Sequence, residues 1–230
     1  MADMNQKIAS LERSELFKGL DSSVCAYMAS TAVSRDYSCH DIIFVEGDPI
    51  TEVVLLAEGQ VKLMLFGEEG TGIILRLCVP GEVVYPPAMV PVDMYYSTAE
   101  TLRASRLLSW DAKTFESAQA RFPTLRSNIE RILEQRIQEL ERRFYETCTR
   151  KVSPRLAEGL LYLMDRIGHQ VGGHVEIHLT RESLAQMTSM ATETVTRVLA
   201  RWERQGFVRL RREAIEVVNL AGLSDQCKVE

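Results

Sequence analysis

The chain has 230 residues, 46% hydrophobic and 26% charged, a balance that supplies two ordinary cores and excludes large-scale disorder. Its net charge of −5 argues against nucleic-acid binding only until it is divided. Residues 1–148 hold 15 Lys and Arg against 22 Asp and Glu, whereas residues 149–230 hold 12 against 10, so the C-terminal part is mildly basic.

The five cysteines, Cys25, Cys39, Cys78, Cys148 and Cys227, are odd in number and widely spaced, with no C-x-x-C. That pattern suggests neither a disulfide framework nor a zinc or iron-sulfur cluster. The start, MADMNQKIASLERSE, has no apolar core of a signal peptide, and no run of about 18 apolar residues occurs. A soluble, cytoplasmic protein without membrane association is the expectation.

From Ile8 to Ala32 short helical patterns carry Leu16, Phe17 and Leu20, then Val24, Tyr27 and Met28, with Asp21 or Ser22 as the cap between them. After Arg35 the texture changes to short β-rich runs cut by glycine, beginning with Ile42 to Val45, Val53 to Leu56, Val61 to Phe66 and Ile73 to Leu77. A further run starts at Val83 and Val84 and continues through Tyr95 to Leu102, and Leu107 to Trp110 reads as the last strand. Strands this short and evenly spaced predict a sandwich or jelly roll. The β domain with its helical lead-in is placed at residues 1–111.

Residues 112–148 read as a short helix near Lys113 to Ala120 and a long one from Pro123 to Cys148. The apolar residues of the long helix are Leu125, Ile129, Ile132, Leu133, Ile137, Leu140 and Phe144, and the series 133, 137, 140, 144 keeps heptad spacing. Such a seam asks for a partner helix. A length of about 35 Å overruns a small domain, so a homodimer is expected. Residues 149–153 read as a hinge, and residues 154–230 as a second domain.

In that domain Pro154 starts a helix to Ile167, Gly172-Gly173 turns into a strand over Val175 to Leu179, and the stretch TRESLAQMTSMATETVTRVLARWERQGFV follows from Thr180. It reads as two helices around a tight turn. Thr180 is the N-cap of the first, with Leu184, Ala185 and Met187 on its apolar face. The second runs from Ala191 to Gln205, with Val195, Val198, Leu199 and Trp202 on one face and Thr192, Glu193, Thr196, Arg197 and Arg201 on the other. Polar side chains of that kind reach base edges when a helix lies in a major groove. Phe207 to Leu210 and Ile215 to Val218 flank Arg211-Arg212-Glu213 as a β-hairpin wing. A solvated basic helix face is the alternative to DNA reading.

In this order of elements, and in the stretches DIIFVEGDPITEVVLLAEGQVKLML and LTRESLAQMTSMATETVTRVLARWERQGFV, the chain resembles the CRP/FNR family of bacterial transcription regulators. The fold class implied is α+β: an N-terminal β jelly roll like a cyclic-nucleotide-binding domain, a long dimerisation helix and a C-terminal winged helix-turn-helix. The resemblance implies that Glu193 and Arg197 read G·C pairs of a TTGA-like inverted repeat in double-stranded DNA, Arg197 donating to guanine and Glu193 accepting from cytosine. Thr196 meets a thymine methyl in the same reading. E-x-x-[ST]-R is nearer the FNR branch than the CRP branch, where an arginine stands in place of Thr192. Arg201, Arg204 and Arg209 are read as phosphate contacts. RNA polymerase is the further partner the resemblance implies, and activation of transcription the expected outcome. Ser189 stands where glycine is common in the turn.

Cyclic-nucleotide members carry a cassette similar to G-E-L-[GA] followed by R-[ST]-A. Here Tyr85-Pro86-Pro87-Ala88 occupies the first part and Tyr95-Tyr96-Ser97 the second, with no arginine between Arg76 and Arg103. These residues argue against cyclic AMP. Clustered N-terminal cysteines are missing, which argues against an iron-sulfur cluster. Haem ligation by His40, Cys25 or Cys78 stays open, as does redox sensing through a thiol, Cys148 at the hinge included. The equivalent pocket contains Tyr85, Met89, Met94, Tyr95 and Tyr96, and the resemblance implies that the long helix, with Ile129 and Leu133, closes it across the dimer. Those residues suit an apolar or aromatic effector or simply fill the space with protein.

A cupin-like metalloenzyme needs several histidines on one metal, and the β region offers only His40. His174 and His178 lie about 13 Å apart on a strand, too far for one ion. The reading is therefore a regulator, with no catalytic or metal-binding residues, in which an unidentified small effector shifts the long helices and so spaces the recognition helices; constitutive activity is the alternative.

Overall fold

The structure, a computed structural model, describes residues 2–67, 72–85 and 94–228. It divides into two compact units, residues 1–71 with 75–139 and residues 72–74 with 140–230. In the first unit α1 (Ala2–Glu12), a 3-10 turn (Glu15–Phe17) and α2 (Ser22–Thr31) precede eight strands. These are β1 (Val33–Tyr37), β2 (Ile42–Phe44), β3 (Glu52–Glu58), β4 (Val61–Phe66), β5 (Gly72–Cys78), β6 (Val83–Tyr85), β7 (Thr98–Thr101) and β8 (Ser105–Asp111). They form two four-stranded sheets, ordered β1-β8-β3-β6 and β2-β7-β4-β5.

The apolar run Val53 to Ala57 is explained by β3 being covered on both faces. Successive side chains of a strand point to opposite sides. Val54 and Leu56 enter the core of the roll with Phe44, Val61, Leu63, Val84 and Leu107. Val53, Leu55 and Ala57 point the other way, into a cluster with Leu11, Leu16, Met28, Trp110 and Phe115 contributed largely by helices. Trp110 is the anchor of that second cluster, 1% exposed, with its indole N–H donating to the Met28 carbonyl at 2.8 Å. At the β3–β4 turn Gly59 has φ +95°, and a Cβ there would lie 2.6 Å from the Ala104 carbonyl oxygen, so both backbone hand and space demand glycine.

Two expectations about strands need correction. Val83 and Tyr95 to Leu102 do not form one run: β6 pairs with β3 in one sheet, and β7 lies between β2 and β4 in the other. A strand also begins before Arg35, since Val33–Tyr37 pairs antiparallel with β8 from Val33↔Ser109 to Tyr37↔Ser105. Cross-strand pairing overrides the weak local signal of the polar stretch Val-Ser-Arg-Asp-Tyr.

Asp111 ends β8 and caps α3 (Ala112–Arg121), its carboxylate accepting from the amides of Lys113 and Thr114. α4 (Pro123–Thr149) follows. Its first two turns are not part of an intermolecular seam: Leu125 and Ile129 are 0% and 1% exposed and belong to the helical cluster of their own unit, with Ile132 and Leu133 packed against it. Asn128 fixes the arrangement by donating to the carbonyls of Leu16 and Lys18 at 3.0 and 2.8 Å. Leu125 and Ile129, assigned to a partner from spacing alone, are thus covered within their own unit. Farther on, Ile137, Leu140, Phe144 and Tyr145 are 57%, 50%, 73% and 63% exposed.

In the second unit α5 (Val152–Ile167) buries Leu156, Leu160 and Leu163 completely. A hairpin of β9 (Gly168–Val171) and β10 (His174–Ile177) leads to α6 (Arg181–Thr188) and α7 (Thr192–Arg204). β11 (Val208–Leu210) and β12 (Ile215–Val217) complete a sheet ordered β11-β12-β10-β9, and α8 (Leu220–Gln226) closes the described chain. β9 and α8 were not anticipated, because a four-residue polar strand and a seven-residue helix carry little periodicity. No described helix is long and apolar enough to cross a membrane.

Candidate nucleic-acid interface

The Thr180 hydroxyl accepts from the Ser183 amide at 3.0 Å and so starts α6. Its end is Ser189, at φ 53° and ψ 50°, whose N–H donates to the Ala185 carbonyl. A non-glycine residue there costs about 1 kcal/mol, and the Thr188 hydroxyl supports the last turn by donating to the Leu184 carbonyl at 2.8 Å. α7 then buries Val195, Leu199 and Trp202 completely and Val198 to 7%. The buried stripe leaves Glu193, Thr196, Arg197, Arg201 and Arg204 exposed, with Thr192 half-buried in the first turn.

These side chains differ in what they already hold. Glu193 and Arg197, four apart on one face, form no hydrogen bond or ion pair among the described residues. Arg201 donates to the Ser153 hydroxyl at 2.8 Å, and Arg204 to the Ala200 carbonyl at 3.4 Å. Arg209 Nη1 donates to both carboxylate oxygens of Glu216, at 2.8 and 2.9 Å, and Arg211 approaches the same carboxylate at 3.5 Å. Glu216 is only 6% exposed while the Arg209 side chain is 53% exposed, so a surface guanidinium is tied to a buried carboxylate of the wing. Arg212, in the turn between β11 and β12, is exposed without a partner among the described residues. Its place in an Arg-Arg pair at the hairpin tip was the available signal.

Two further arginines hold the helix-turn-helix. Arg143 of α4 donates to the Met187 carbonyl at 2.7 Å. Arg155 of α5 donates to the carbonyls of Thr147 and Ser189 at 2.9 and 3.4 Å, and burial pushes its guanidinium pKa down. Both place positive charge at the C-terminal end of α6, where the helix dipole favours it. They line a small cleft with Glu158, Tyr162 and Thr188. Burial raises the Glu158 carboxyl pKa, against the lowering effect of Arg150, whose guanidinium lies 3.0 Å away.

In the first unit the residues expected to line one effector pocket separate. Tyr95 is 4% exposed and stacks on Phe44 at 3.8 Å and 7°, and the half-buried Tyr85 meets both rings edge-on. Burial, and then the nearby Glu52 charge, push the Tyr95 phenol up to about 12. Tyr96 and Met94 are 66% and 52% exposed. Ile129 and Leu133 sit in the helical cluster on the far side of β3 from these rings. Met89 lies outside the described residues. The α4 side chain that does reach β6 is Arg136, donating to the Val83 carbonyl. His40 is exposed at the surface, its Nδ1 2.9 Å from Glu100, while Cys25 and Cys78 are buried in different clusters. The three do not converge.

Residues 154–226 match the model of a Crp-like helix-turn-helix domain, and residues 34–122 that of a cyclic nucleotide-binding domain. A CRP-like cAMP-activated global transcriptional regulator of Mycobacterium tuberculosis is 26% identical over 207 residues, covering 89% of this chain and 92% of that one. The transcriptional regulator SdrP of Thermus thermophilus is 27% identical over 202 residues, or 86% and 96% of the two chains. Among solved structures, a CRP/FNR family transcriptional regulator from Thermus thermophilus aligns with a TM-score of 0.74 at 26% identity, covering 86% of this chain and 99% of that one.

Proposed function

The chain belongs to the CRP/FNR family and is a transcription regulator rather than an enzyme; on that premise we propose that it acts as a homodimer reading a TTGA-like inverted repeat. The observation that carries the reading is the unpaired Glu193 and Arg197 on the exposed face of α7. A bidentate Arg197–guanine contact and acceptance from cytosine by Glu193 are each worth about 1–3 kcal/mol of discrimination. Thr196 and Thr192 flank the pair. Arg201, Arg204 and Arg212 supply phosphate contacts, whereas the Arg209 charge is already balanced by Glu216.

A second copy covers Ile137, Leu140 and Phe144 in this reading, since their heptad spacing continues where the chain's own helices cease to shield α4. Dimerisation then sets two recognition helices about 34 Å apart, one turn of DNA. RNA polymerase is the partner through which such a dimer acts, in the cytoplasm. Cyclic AMP does not suit the roll, because Tyr95 stands in the place of the cassette arginine.

Affinity selection from random duplex DNA by the purified chain, with and without cell extract, tests the proposal. Enrichment of an inverted repeat with TGA-type half-sites is the expected result. No enriched inverted repeat under either condition overturns it.

A further inference from the structure

Within the second unit two arginines join the end of α4 to the helix-turn-helix, and they do so differently. Arg143 of α4 bonds the Met187 carbonyl in the last turn of α6 at 2.7 Å. Arg155 of α5 spreads one guanidinium over carbonyls of two elements. Its Nη1 donates to Thr147, in the last turn of α4, at 2.9 Å, and its Nη2 to Ser189 at 3.4 Å. Ser189 is the left-handed residue that opens the bend, and α7 begins just beyond it at Thr192. The Arg155 fork therefore bears on the path from α4 to the recognition helix. It is poorly built for stability alone: the side chain is half-buried, burial lowers its pKa, and its Nε is covered without an acceptor among the described residues. Withdrawing a charge from water costs free energy that incomplete partners recover only in part.

A bond to one carbonyl allows α6 to turn about it, whereas a planar fork that holds a carbonyl on each side of the joint excludes the turn. We propose that Arg155 is a positioning residue for operator spacing: it fixes the distance and angle of α7 from α4, and so the separation of half-sites that the chain accepts. The assignment rests on the homodimer reading, in which the α4 seam lies at the two-fold axis and α7 enters the major groove. One base pair added between half-sites moves one of them by about 3.4 Å and turns it by about 34°. A head joined to α4 only through the exposed Arg150-Lys151 link follows that movement. A head held by the fork follows it only by losing the bonds to Thr147 and Ser189. The bases read are set by α7 itself, so Arg155 acts on spacing and not on half-site sequence.

Competition binding of the full chain tests the proposal, on duplexes that carry one fixed pair of selected half-sites at spacers shorter and longer than the optimum, with a single half-site as reference. The wild type should lose roughly tenfold per base pair of mis-spacing. Arg155→Met keeps the bulk without the fork and should lose about threefold or less, with the same preferred bases and the same affinity for the single half-site. Arg155→Lys keeps the charge without the fork and should behave like Arg155→Met; it decides alone if the Met chain does not fold. An unchanged spacer profile in the variant that folds overturns the assignment. So does a loss that is equal on the single half-site and on every spacer, which marks a merely structural role. A wild type with no spacer optimum overturns the homodimer reading itself and the assignment with it, so the two failures are distinguishable.

Discussion

The Arg143 guanidinium of α4 donates to the Met187 carbonyl at 2.7 Å, so the long helix grips the last turn before the bend of the helix-turn-helix. Its sequence neighbour Phe144 is 73% exposed. One turn of helix therefore faces the expected partner chain on one side and α6 on the other. Arg143→Ala removes a charge-assisted bond from the α6 terminus and should destabilise the second unit by about 1.5–3 kcal/mol. Urea unfolding followed by Trp202 fluorescence in a Trp110→Phe background measures it. An unchanged midpoint relative to that background would show the bond to be without consequence.

The arginines of the interface should separate by what they hold. Arg197→Ala should relax base preference at one position of the half-site, a loss of about 1–3 kcal/mol in discrimination. Arg204→Ala and Arg212→Ala should weaken all sequences alike and lower the salt slope by about 1 each. Arg209→Ala leaves the buried Glu216 with the longer 3.5 Å contact from Arg211, so its expected effect is a less stable wing, not a smaller salt slope. Binding isotherms on matched and mismatched duplexes at several salt concentrations distinguish the four. A salt slope reduced by Arg209→Ala at unchanged stability would restore that residue as a phosphate contact.

The helix-turn-helix was readable because caps, period and turn chemistry are local. Thr180 can only cap, the 195, 198, 199, 202 series can only face inward, and Ser189 had to take the glycine geometry. The misread residues depend on parts of the chain far away. Leu125 and Ile129 keep heptad spacing, yet Leu11, Leu16 and Phe115 cover them, and no periodicity in α4 reports that. Arg209 looks like any basic wing residue until the β11–β12 register sets it opposite Glu216. Arg136 is one polar residue of a charged helix in sequence, and its burial follows only from the approach of Val83.

The same division predicts two classes of substitution in α4. Phe144→Glu and Ile137→Glu place charge on exposed positions and should leave the fold intact while dissociating the proposed dimer. Leu125→Ala should cost about 2–5 kcal/mol of stability, because its site is fully enclosed, with little effect on self-association. Sedimentation equilibrium and thermal unfolding on each variant give both quantities. A Phe144→Glu, Ile137→Glu double variant that remains dimeric would require a different interface.

Alkaline pH offers a test of the filled roll. The Tyr95 phenol is held near 12 rather than 10, with burial the main cause, so the folded chain retains a proton that the unfolded chain releases. Its contribution is fully present below pH about 10 and is lost as pH rises from about 10 to about 12, a change of about 2–3 kcal/mol. Tyr95→Phe removes this dependence. At neutral pH it should cost less than about 1 kcal/mol, since the hydroxyl makes only a long bond of 3.4 Å to the Glu52 carbonyl. Urea midpoints between pH 8 and 12, with the ultraviolet absorbance of tyrosinate as a parallel titration, should show the variant falling less steeply than the wild type and missing one late-ionising tyrosine. Parallel pH profiles for the two chains would mean that water reaches the Tyr95 hydroxyl and that the interior between the sheets is open.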